Sequence, residues 1–478
     1  MKKFVPPLIT ALAACLAGWQ LLRWVAGVPL ALTLREAARS GSIAEALALQ
    51  TSTEYDSDLA GCFLANPEIP AGTLKGGWSG FRGEQQRNIV PVTTPPLQSW
   101  PATGPKIRWS IPAGDGHAMP SLYNGTLYLL DYDEPRGGDC LRALNADTGA
   151  ERWHHLYSVK IKRNHGISRT VTACDGNFVV SIGPQCHVLC LAAEGGKYLW
   201  GINMQQKFAT KVPLWYTGQC PLIDNGTAIL APAGSDILLC GVDLKTGLTL
   251  FETPQPGGLN MSHASIMTIT VEGKRQYIYA ALGGIVGVSA EPADQGRLLW
   301  QSDSFTASVI APSPLVLDQG RFFMTAGYGY GGAMYQIVRD GETWQVKELF
   351  RTSRKEFASE QQTPIYLNGL LYTVLPADGG ANRQQLVCMT PEGKLLWNSG
   401  NEDRFGLGPY LATSDNHLFL MNDTGTLTLA QVGPDGYHRL ARHALMQGKG
   451  RDAWGPMLMA DGCLFLRDST RIYCLEVR

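Results

Sequence analysis

The residues best suited to bind a ligand or perform chemistry lie in polar segments between apolar runs. Examples are KIKRNHGISR at 160–169, GLNMSHAS at 258–265 and RKEFASEQQT at 354–363. Histidines can act as acids, bases or metal ligands, but no pair here has metal-site spacing, and we assign neither catalytic residues nor metal ligands. Arginine and aromatic side chains on loops suit an interface with a protein or a glycan. The candidate binding residues are His117, His165, Arg169, Trp215, Tyr216, His263, Gln362, Arg404, Arg451 and Trp454.

Two further motifs could suggest a cofactor. GYGYGG at 327–332 matches the G-x-G-x-x-G pattern, but the segment after it, AMYQIVRD, is strand-like. No helix N-terminus is therefore available to hold a pyrophosphate, and we predict a glycine-rich hairpin. Cys186 and Cys190 lack the spacing of C-x-x-C and C-x-x-C-H sites.

The N-terminus differs from the rest of the chain. Lys2 and Lys3 precede an uncharged run, residues 4–22, that is long enough to span a bilayer. We predict a signal anchor over 1–34, with the remaining chain outside the cytoplasm. The alternatives are a cleaved signal peptide and lipidation at Cys15. The net charge of −1 gives no indication of a nucleic-acid partner.

A repeat organises the remaining sequence. A turn with glycine is followed four residues later by an aromatic residue, and short apolar strands joined by hairpins lie between copies, as in PSLYNGTLYLL at 120–130. Four antiparallel strands per unit of 40–50 residues are typical of a propeller blade. The repeated aromatic positions are Trp109, Trp153, Trp200, Phe251, Trp300, Phe350 and Trp397, with Leu440 as a weaker copy.

The two ends of the repeat indicate how the ring closes. The last unit, 454–478, lacks a fourth strand, whereas GPKIRWSIP at 104–112 is a fourth strand without a unit. Pairing them leaves no open edge, so we predict an all-β, eight-bladed propeller of four-stranded antiparallel blades over 105–478. Residues 35–104 are predicted to form a short helix beside the membrane and an extended, proline-rich connector.

The repeated aromatic residues have a structural explanation. A tryptophan at the end of each outer strand can dock on the next blade and place its indole N–H on a partner there. Cys190, Cys388 and Cys474 occupy one equivalent slot in three different blades, so we interpret them as small buried residues and not as disulfide partners.

The repeat resembles a known family. ALNADTGAERW at 143–153, GVDLKTGLTLF at 241–251 and CMTPEGKLLW at 388–397 resemble the repeat of PQQ-like, quinoprotein-type β-propellers of the BamB-like superfamily. WSGFRGEQQRN at 78–88 resembles the Trp-x-x-Phe-Arg-Gly element that precedes the propeller in bacterial envelope members. The resemblance implies a bacterial cell-envelope protein with its propeller on the periplasmic or outer side.

The resemblance leaves two kinds of function open. BamB-like members hold no cofactor, whereas quinoprotein alcohol dehydrogenases hold PQQ and calcium, with the quinone between a tryptophan and a pair of adjacent disulfide-bonded cysteines. This chain has no adjacent cysteine pair and no convincing carboxylate cluster for calcium. Other quinoproteins lack the cysteine pair, so PQQ with calcium stays the alternative to our expectation of no cofactor.

We therefore predict a non-catalytic, envelope-anchored scaffold that contacts the membrane through its N-terminal segment. It would bind a protein or glycan partner as a monomer, through the loops that carry the candidate residues. The alternatives are a PQQ-dependent dehydrogenase that oxidises an alcohol or a sugar, a polysaccharide-binding or sensing module, and a purely local role in which the loop residues close the channel mouth. The fold by itself does not choose among them.

Overall fold

The computed structural model describes Cys15, Trp19 and residues 57–92, 94–446 and 452–478. Cys15 and Trp19 are helical, exposed residues of an N-terminal unit, 1–39, and a second unit comprises 40–478. Apart from those two residues, the predicted anchor at 1–34 and the predicted helix at 35–50 lie outside the described residues. In the part of the chain that is described, no helix has the length and apolar character needed to cross a bilayer.

Residues 106–478 form eight antiparallel sheets, each built from four strands that we call A to D in chain order. In blade 1 the strands are Ser121–Tyr123, Thr126–Asp133, Gly138–Asn145 and Glu151–Ser158. In blade 2 they are Ala173–Cys174, Phe178–Ile182, His187–Ala192 and Tyr198–Asn203, and in blade 3 they are Leu222–Asp224, Thr227–Leu230, Ile237–Asp243 and Thr249–Pro254. In blade 4 they are Met267–Val271, Lys274–Ala281, Gly284–Ser289 and Leu298–Ser302.

The second half repeats the pattern and completes the ring. In blade 5 the strands are Leu315–Val316, Arg321–Ala326, Gly331–Asp340 and Thr343–Thr352. In blade 6 they are Ile365–Leu367, Leu370–Val374, Leu386–Met389 and Leu395–Asn398, and in blade 7 they are Tyr410–Thr413, His417–Met421, Thr426–Gly433 and Gly436–Ala444. In blade 8, strands A to C are Leu458–Ala460, Cys463–Arg467 and Arg471–Glu476, and strand D is Lys106–Pro112 from the N-terminal side of the propeller. The predicted eight-bladed propeller of four-stranded blades is confirmed.

Ring closure follows the predicted pairing of the two ends. Lys106–Pro112 runs antiparallel to Arg471–Glu476, with Trp109 opposite Cys474 and Ile107 opposite Leu475. The strand that begins the propeller therefore completes its last blade. This pairing satisfies the backbone groups along the outer edge of strand C in blade 8.

The turn glycines explain the spacing of the aromatic repeat. The Trp109 ring packs on Gly149 of the next blade, whose φ is 74° and whose absent Cβ would lie 2.9 Å from the ring. Four further aromatic residues pack on turn glycines of the following blade in the same way: Trp153 on Gly196, Trp200 on Gly247, Phe251 on Gly296 and Phe350 on Gly393. A side chain at such a glycine would push neighbouring blades apart.

The indole N–H groups follow the expected pattern less uniformly. Trp109, Trp200 and Trp397 donate to backbone carbonyls of the next blade, at 3.0, 2.9 and 2.8 Å. Trp300 instead donates to Gln276 Oε1 of its own blade at 2.8 Å, and its ring stacks on Phe322 of blade 5. Trp153 has no indole partner among the described residues. Ring packing, and not a common hydrogen bond, is therefore what the repeat shares.

A second repeat, which the sequence prediction missed, joins the innermost strands. Ser121, Thr172, Cys220, Ser265, Ser313 and Thr363 stand at the start of strand A in blades 1 to 6, and all are buried. Hydrogen bonds of this belt join neighbouring blades. The hydroxyls of Ser121 and Thr172 lie 2.6 Å apart, and Val171 N–H donates to Cys220 Sγ at 3.2 Å. The backbone N–H groups of Cys220, Ser265 and Ser313 donate to the hydroxyls of Ser265, Ser313 and Thr363 at 3.0, 2.8 and 2.8 Å. These small polar residues hold the strands around the axis.

The segment before the propeller is part of the ring. Ser57–Ala60 is a 3-10 turn, and Cys62–Ala65 adds a fifth strand outside strand D of blade 1. Ile89–Val90 pairs in parallel with strand A of blade 7. A short α-helix, Met204–Phe208, and a 3-10 turn, Gly380–Asn382, lie in loops of the propeller. The predicted connector thus runs both along the outside of the ring and into its centre.

Candidate binding cavity on the propeller axis

A cavity of about 290 Å³ lies where the loops from strand D of one blade to strand A of the next converge. We call these the D–A loops, and each of the eight blades contributes a lining residue from the loop or from the start of strand A. Because adjacent strands are antiparallel, the B–C hairpins reach the same face of the ring. Residues that are far apart in sequence therefore meet at one point.

Seven of the ten candidate residues line this cavity: His117, His165, Arg169, Trp215, His263, Gln362 and Trp454. Tyr216 does not line it, because its hydroxyl donates to the Lys162 carbonyl and joins two loops. Arg404 is directed to blade 6, where it donates to the carbonyls of Arg383 and Ala381. Arg451 lies outside the described residues.

Two aromatic stacks form opposite parts of the wall. The Trp215 ring lies between His263 and Tyr328, with centroid distances of 6.3 and 6.0 Å and interplanar angles of 26° and 19°. The Trp454 ring lies 5.3 Å from the His117 ring, and its indole N–H donates to Asp423 Oδ1 at 2.8 Å. Gln362 Nε2 donates to the Trp454 carbonyl at 3.1 Å, which ties blade 6 to blade 8.

Two of the three lining histidines, His117 and His263, are neutral at physiological pH. Burial, with the nearby Arg169 charge, lowers the pKa of His117 to about 3 and that of His263 to about 4. His117 Nε2 lies 3.0 Å from the His165 carbonyl oxygen, so in the neutral ring this nitrogen carries the proton. His117 Nδ1 is then an acceptor, and it is buried without a partner among the described residues.

Arg169 supplies a positive charge at the cavity wall. Its Nε donates to the Trp215 carbonyl at 2.6 Å and its Nη2 to the Asn164 carbonyl at 2.7 Å. These bonds hold the side chain between the loops that precede blades 2 and 3. Burial lowers its pKa to about 10, so the guanidinium stays charged at pH 7.

The opposite end of the cavity is closed by residues 73–92, which we call the plug segment. Phe81, Arg82 and Asn88 of this segment line the cavity. The segment contacts blades on opposite sides of the axis, since Trp78 exchanges backbone hydrogen bonds with Leu122 of blade 1 and Gln86 Nε2 donates to Ile266 of blade 4. It therefore crosses the axis from the face opposite the D–A loops.

Arg82 holds the plug segment in place. It is 6% exposed, and it donates to the carbonyls of Thr363, Pro364, Gln86 and Arg87 at 2.8–3.1 Å. Gly83 follows with a φ of 78°, and the Trp78 ring occupies the space that a Cβ would need. The Trp-x-x-Phe-Arg-Gly element is thus a folded plug, and its arginine could not be assigned to a cavity from sequence, because nothing local shows where the segment goes.

Tyr328 and Glu360 were also missed. Tyr328 belongs to GYGYGG, which forms the B–C hairpin of blade 5, and it is 55% exposed beside Trp215. Glu360 is the one carboxylate among the described lining residues, and burial raises its pKa. The glycine pattern identified a hairpin but gave no sign that its tyrosine faces the axis.

Several lining residues have left-handed backbone conformations. Arg82, Asn88, His165, Trp215 and Tyr328 have φ values between 51° and 65°. This region is uncommon for residues other than glycine and costs about 1 kcal/mol or more for bulky side chains. Such conformations cluster at binding sites, where the surrounding contacts maintain them.

Comparison with known proteins gives one sequence family and several similar folds. The family model described as outer membrane protein assembly factor BamB matches residues 136–390, whereas no curated protein matches the sequence. Similar solved structures include BamB from Moraxella catarrhalis (TM-score 0.53, 12% identity, 78% of this chain and 99% of that chain), quinohemoprotein alcohol dehydrogenase from Comamonas testosteroni (0.55, 12%, 84% and 80%) and a europium-containing methanol dehydrogenase (0.56, 11%, 82% and 89%). At these identities the structures show a shared fold alone.

Proposed function

This chain belongs to the family described as outer membrane protein assembly factor BamB, and from that membership we propose that it is a non-catalytic scaffold of the bacterial cell envelope. It binds a protein partner through its D–A loop face. The N-terminal apolar segment holds it at the membrane, and the propeller acts as a monomer on the periplasmic or outer side.

The observation that supports this proposal is the convergence of all eight blades on one aromatic, arginine-containing cavity. Trp215 and Tyr328 offer apolar surface there, and Leu214, next to Trp215 in the same D–A loop, is 63% exposed. Aromatic and arginine residues around a pocket are typical anchors for a protein partner. The polar groups between them can fix the orientation of the partner.

We propose that the cavity holds no PQQ with calcium. A quinone needs an open aromatic face, but the Trp215 ring stacks on both His263 and Tyr328. Calcium prefers several carboxylate and carbonyl oxygens, yet Glu360 is the one acidic lining residue described, and no group of three His, Cys, Asp or Glu side chains that could hold a metal ion occurs in the described part of the chain. We therefore derive no oxidation step for this chain.

The proposal is tested by site-specific photo-crosslinking of the full-length chain in its own cells. A photoreactive phenylalanine at Leu214 should capture one defined partner. The same probe at Leu395, which is exposed on strand D of blade 6, is the matched control and should not. Trp215→Ala should reduce capture at position 214 without reducing the amount of folded protein.

A separate arm tests the enzyme alternative. The detergent-purified full-length chain is given PQQ and calcium, and dye-linked oxidation of alcohols and sugars is followed. Turnover with stoichiometric quinone binding would overturn the scaffold proposal. Equal capture at positions 214 and 395 would instead show that the D–A loop face is not the partner site.

A further inference from the structure

We propose that the cavity receives a carboxylate from an acidic segment of the protein partner, and that Arg169 is the residue that binds it. This inference rests on the proposed function, because it assumes that a partner docks on the D–A loop face. It adds the chemistry of the part of the partner that enters the cavity.

Arg169 has N–H donors without a hydrogen-bond acceptor in the described part of the chain, and a ligand can use them. Its Nε and Nη2 are committed to the carbonyls of Trp215 and Asn164, whereas its Nη1 has no hydrogen-bond partner among the described residues. Arg169 also has no ion-pair partner in that part of the chain, although Asp115 of the preceding loop pairs with Arg163. A guanidinium that is held in place with two N–H groups open matches a carboxylate oxygen.

The surrounding charge favours an anion. His165 and Arg169 line the cavity, and the segment 160–169 around them also carries Lys160 and Lys162. The segment has no acidic residue of its own; Arg163 pairs with Asp115, and Glu360 is the one carboxylate among the described lining residues. Arg82 adds a second buried positive charge on the plug side, also without a carboxylate partner in the described chain. Such an arrangement attracts an acidic segment and orients its approach.

His117 indicates a peptide and not an isolated small anion. Its Nδ1 is a buried, unpartnered acceptor at the cavity wall, and the ring is 7% exposed. A buried acceptor without a donor costs free energy, and a backbone N–H of the incoming segment would satisfy it. The exposed ring of Tyr328 can pack against an apolar residue beside the acidic one.

The test uses the full-length chain in detergent and short fluorescent peptides. Each probe is a twelve-residue peptide with Asp or Glu next to Phe, paired with a counterpart in which Asn or Gln replaces the acid. Affinity is measured by fluorescence anisotropy at two salt concentrations. The acidic peptide should bind at least roughly tenfold more tightly than its amide counterpart, and binding should weaken with salt.

Three variants locate the interaction. Arg169→Gln should weaken the acidic peptide by roughly tenfold or more and leave the amide peptide unchanged, whereas Arg169→Lys should retain part of the preference. Lys160→Gln with Lys162→Gln changes exposed side chains only, and it should reduce affinity and its salt dependence. Arg297→Gln, on the opposite face of blade 4, is the matched control and should bind like the unmodified chain.

The remaining binding measurements use carboxylate ligands that are not peptides. N-acetylglutamate tests a free small carboxylate, and polygalacturonate tests an acidic glycan. Tighter binding of either than of the acidic peptides would overturn the inference, as would equal affinity of Arg169→Gln and the unmodified chain. If the crosslink at Leu214 still captures its partner while acidic peptides fail, the scaffold function stands and the carboxylate inference falls.

Discussion

The two arginines at opposite ends of the axial cavity differ in how their donors are used. Arg82 in the plug segment directs its hydrogen bonds to four carbonyls and is almost fully buried. Arg169 in the D–A loops is bound at two nitrogens and leaves its third open within the described structure. The same residue type therefore serves structure at one end and remains available for a ligand at the other.

The two arginines differ in the environment of the carbonyl groups that would lose a hydrogen-bond donor if the arginine were replaced. Removing Arg82 would leave the buried carbonyls of Thr363 and Pro364 without their donor, whereas the groups around Arg169 border an open cavity. A buried cation without a carboxylate is thus not by itself a sign of a binding site. The number of unsatisfied donors distinguishes the two cases.

The largest expected effect comes from Arg82→Met. The apolar side chain leaves the carbonyls of Thr363, Pro364, Gln86 and Arg87 without their donor, at about 4 kcal/mol of unfolding free energy. Chemical denaturation monitored by tryptophan fluorescence measures this loss. A loss below about 1 kcal/mol would show that the plug segment is not held by Arg82.

The next largest effect is a difference in unfolding free energy between a tryptophan of the plug segment, Trp78, and one of the D–A loops, Trp215. Trp78→Ala removes a buried ring from Gly83 and should cost about 3 kcal/mol. Trp215→Ala removes a partly buried ring and should cost about 1 kcal/mol of unfolding free energy while weakening partner capture. Equal thermal midpoints for the two variants would contradict this contrast.

The pH dependence of stability isolates His117. Its folded pKa of about 3 lies below the ordinary value of 6.5, so the unfolded chain binds the proton first as the pH falls. This histidine should therefore lower the unfolding free energy by about 2 kcal/mol between pH 7 and pH 5. His117→Gln, which can still donate to the His165 carbonyl, should remove that part of the slope.

The measurement compares the variant with the unmodified chain, because another buried group acts in the opposite direction. Burial raises the pKa of Asp139 to about 7, although Tyr157 donates to its carboxylate at 2.6 Å. Asp139 therefore stabilises the fold below its ordinary pKa, and that contribution is lost as the pH rises through 7. An unchanged slope in His117→Gln would show that this histidine is not buried in the neutral form.

The smallest stability effect is expected for Arg169→Gln. Because Arg169 lines an open cavity, the substitution should cost less than about 1 kcal/mol of unfolding free energy. Parallel denaturation curves of Arg169→Gln and Arg82→Met test the comparison directly. A loss as large as that of Arg82→Met would mark Arg169 as structural.

Much of the fold could be predicted because each blade is encoded by a similar, contiguous stretch of sequence. A glycine turn and an aromatic residue four positions later recur in blades 1 to 4 and in blade 6, the other blades carry looser copies, and each copy has its own hydrophobic pattern. The incomplete first and last units then required ring closure. The belt of Ser121, Thr172, Cys220, Ser265, Ser313 and Thr363 also repeats, but small polar residues are too common in loops to be noticed without the structure.

The candidate site could be predicted only in part. His117, Arg169 and Trp215 were identified because D–A loops of any propeller gather on one face. Arg404 and Tyr216 have the same residue types and lie in the same class of loop, but loop conformation turns them towards neighbouring backbone. Side-chain direction in an irregular loop depends on contacts made by distant blades, and no local pattern reports them.

The sequence by itself determined the strands, the blade count and the pairing of the chain ends, because each depends on residues within one unit or on the sum of the units. Only the tertiary structure decided that residues 73–92 enter the ring. It also decided that all three side-chain nitrogens of Arg82 donate hydrogen bonds, whereas one nitrogen of Arg169 has no acceptor in the described structure. These properties depend on which carbonyls lie within hydrogen-bond distance across the axis. That proximity arises between residues almost 300 positions apart, as between Arg82 and Pro364, and it exists only once the ring has closed.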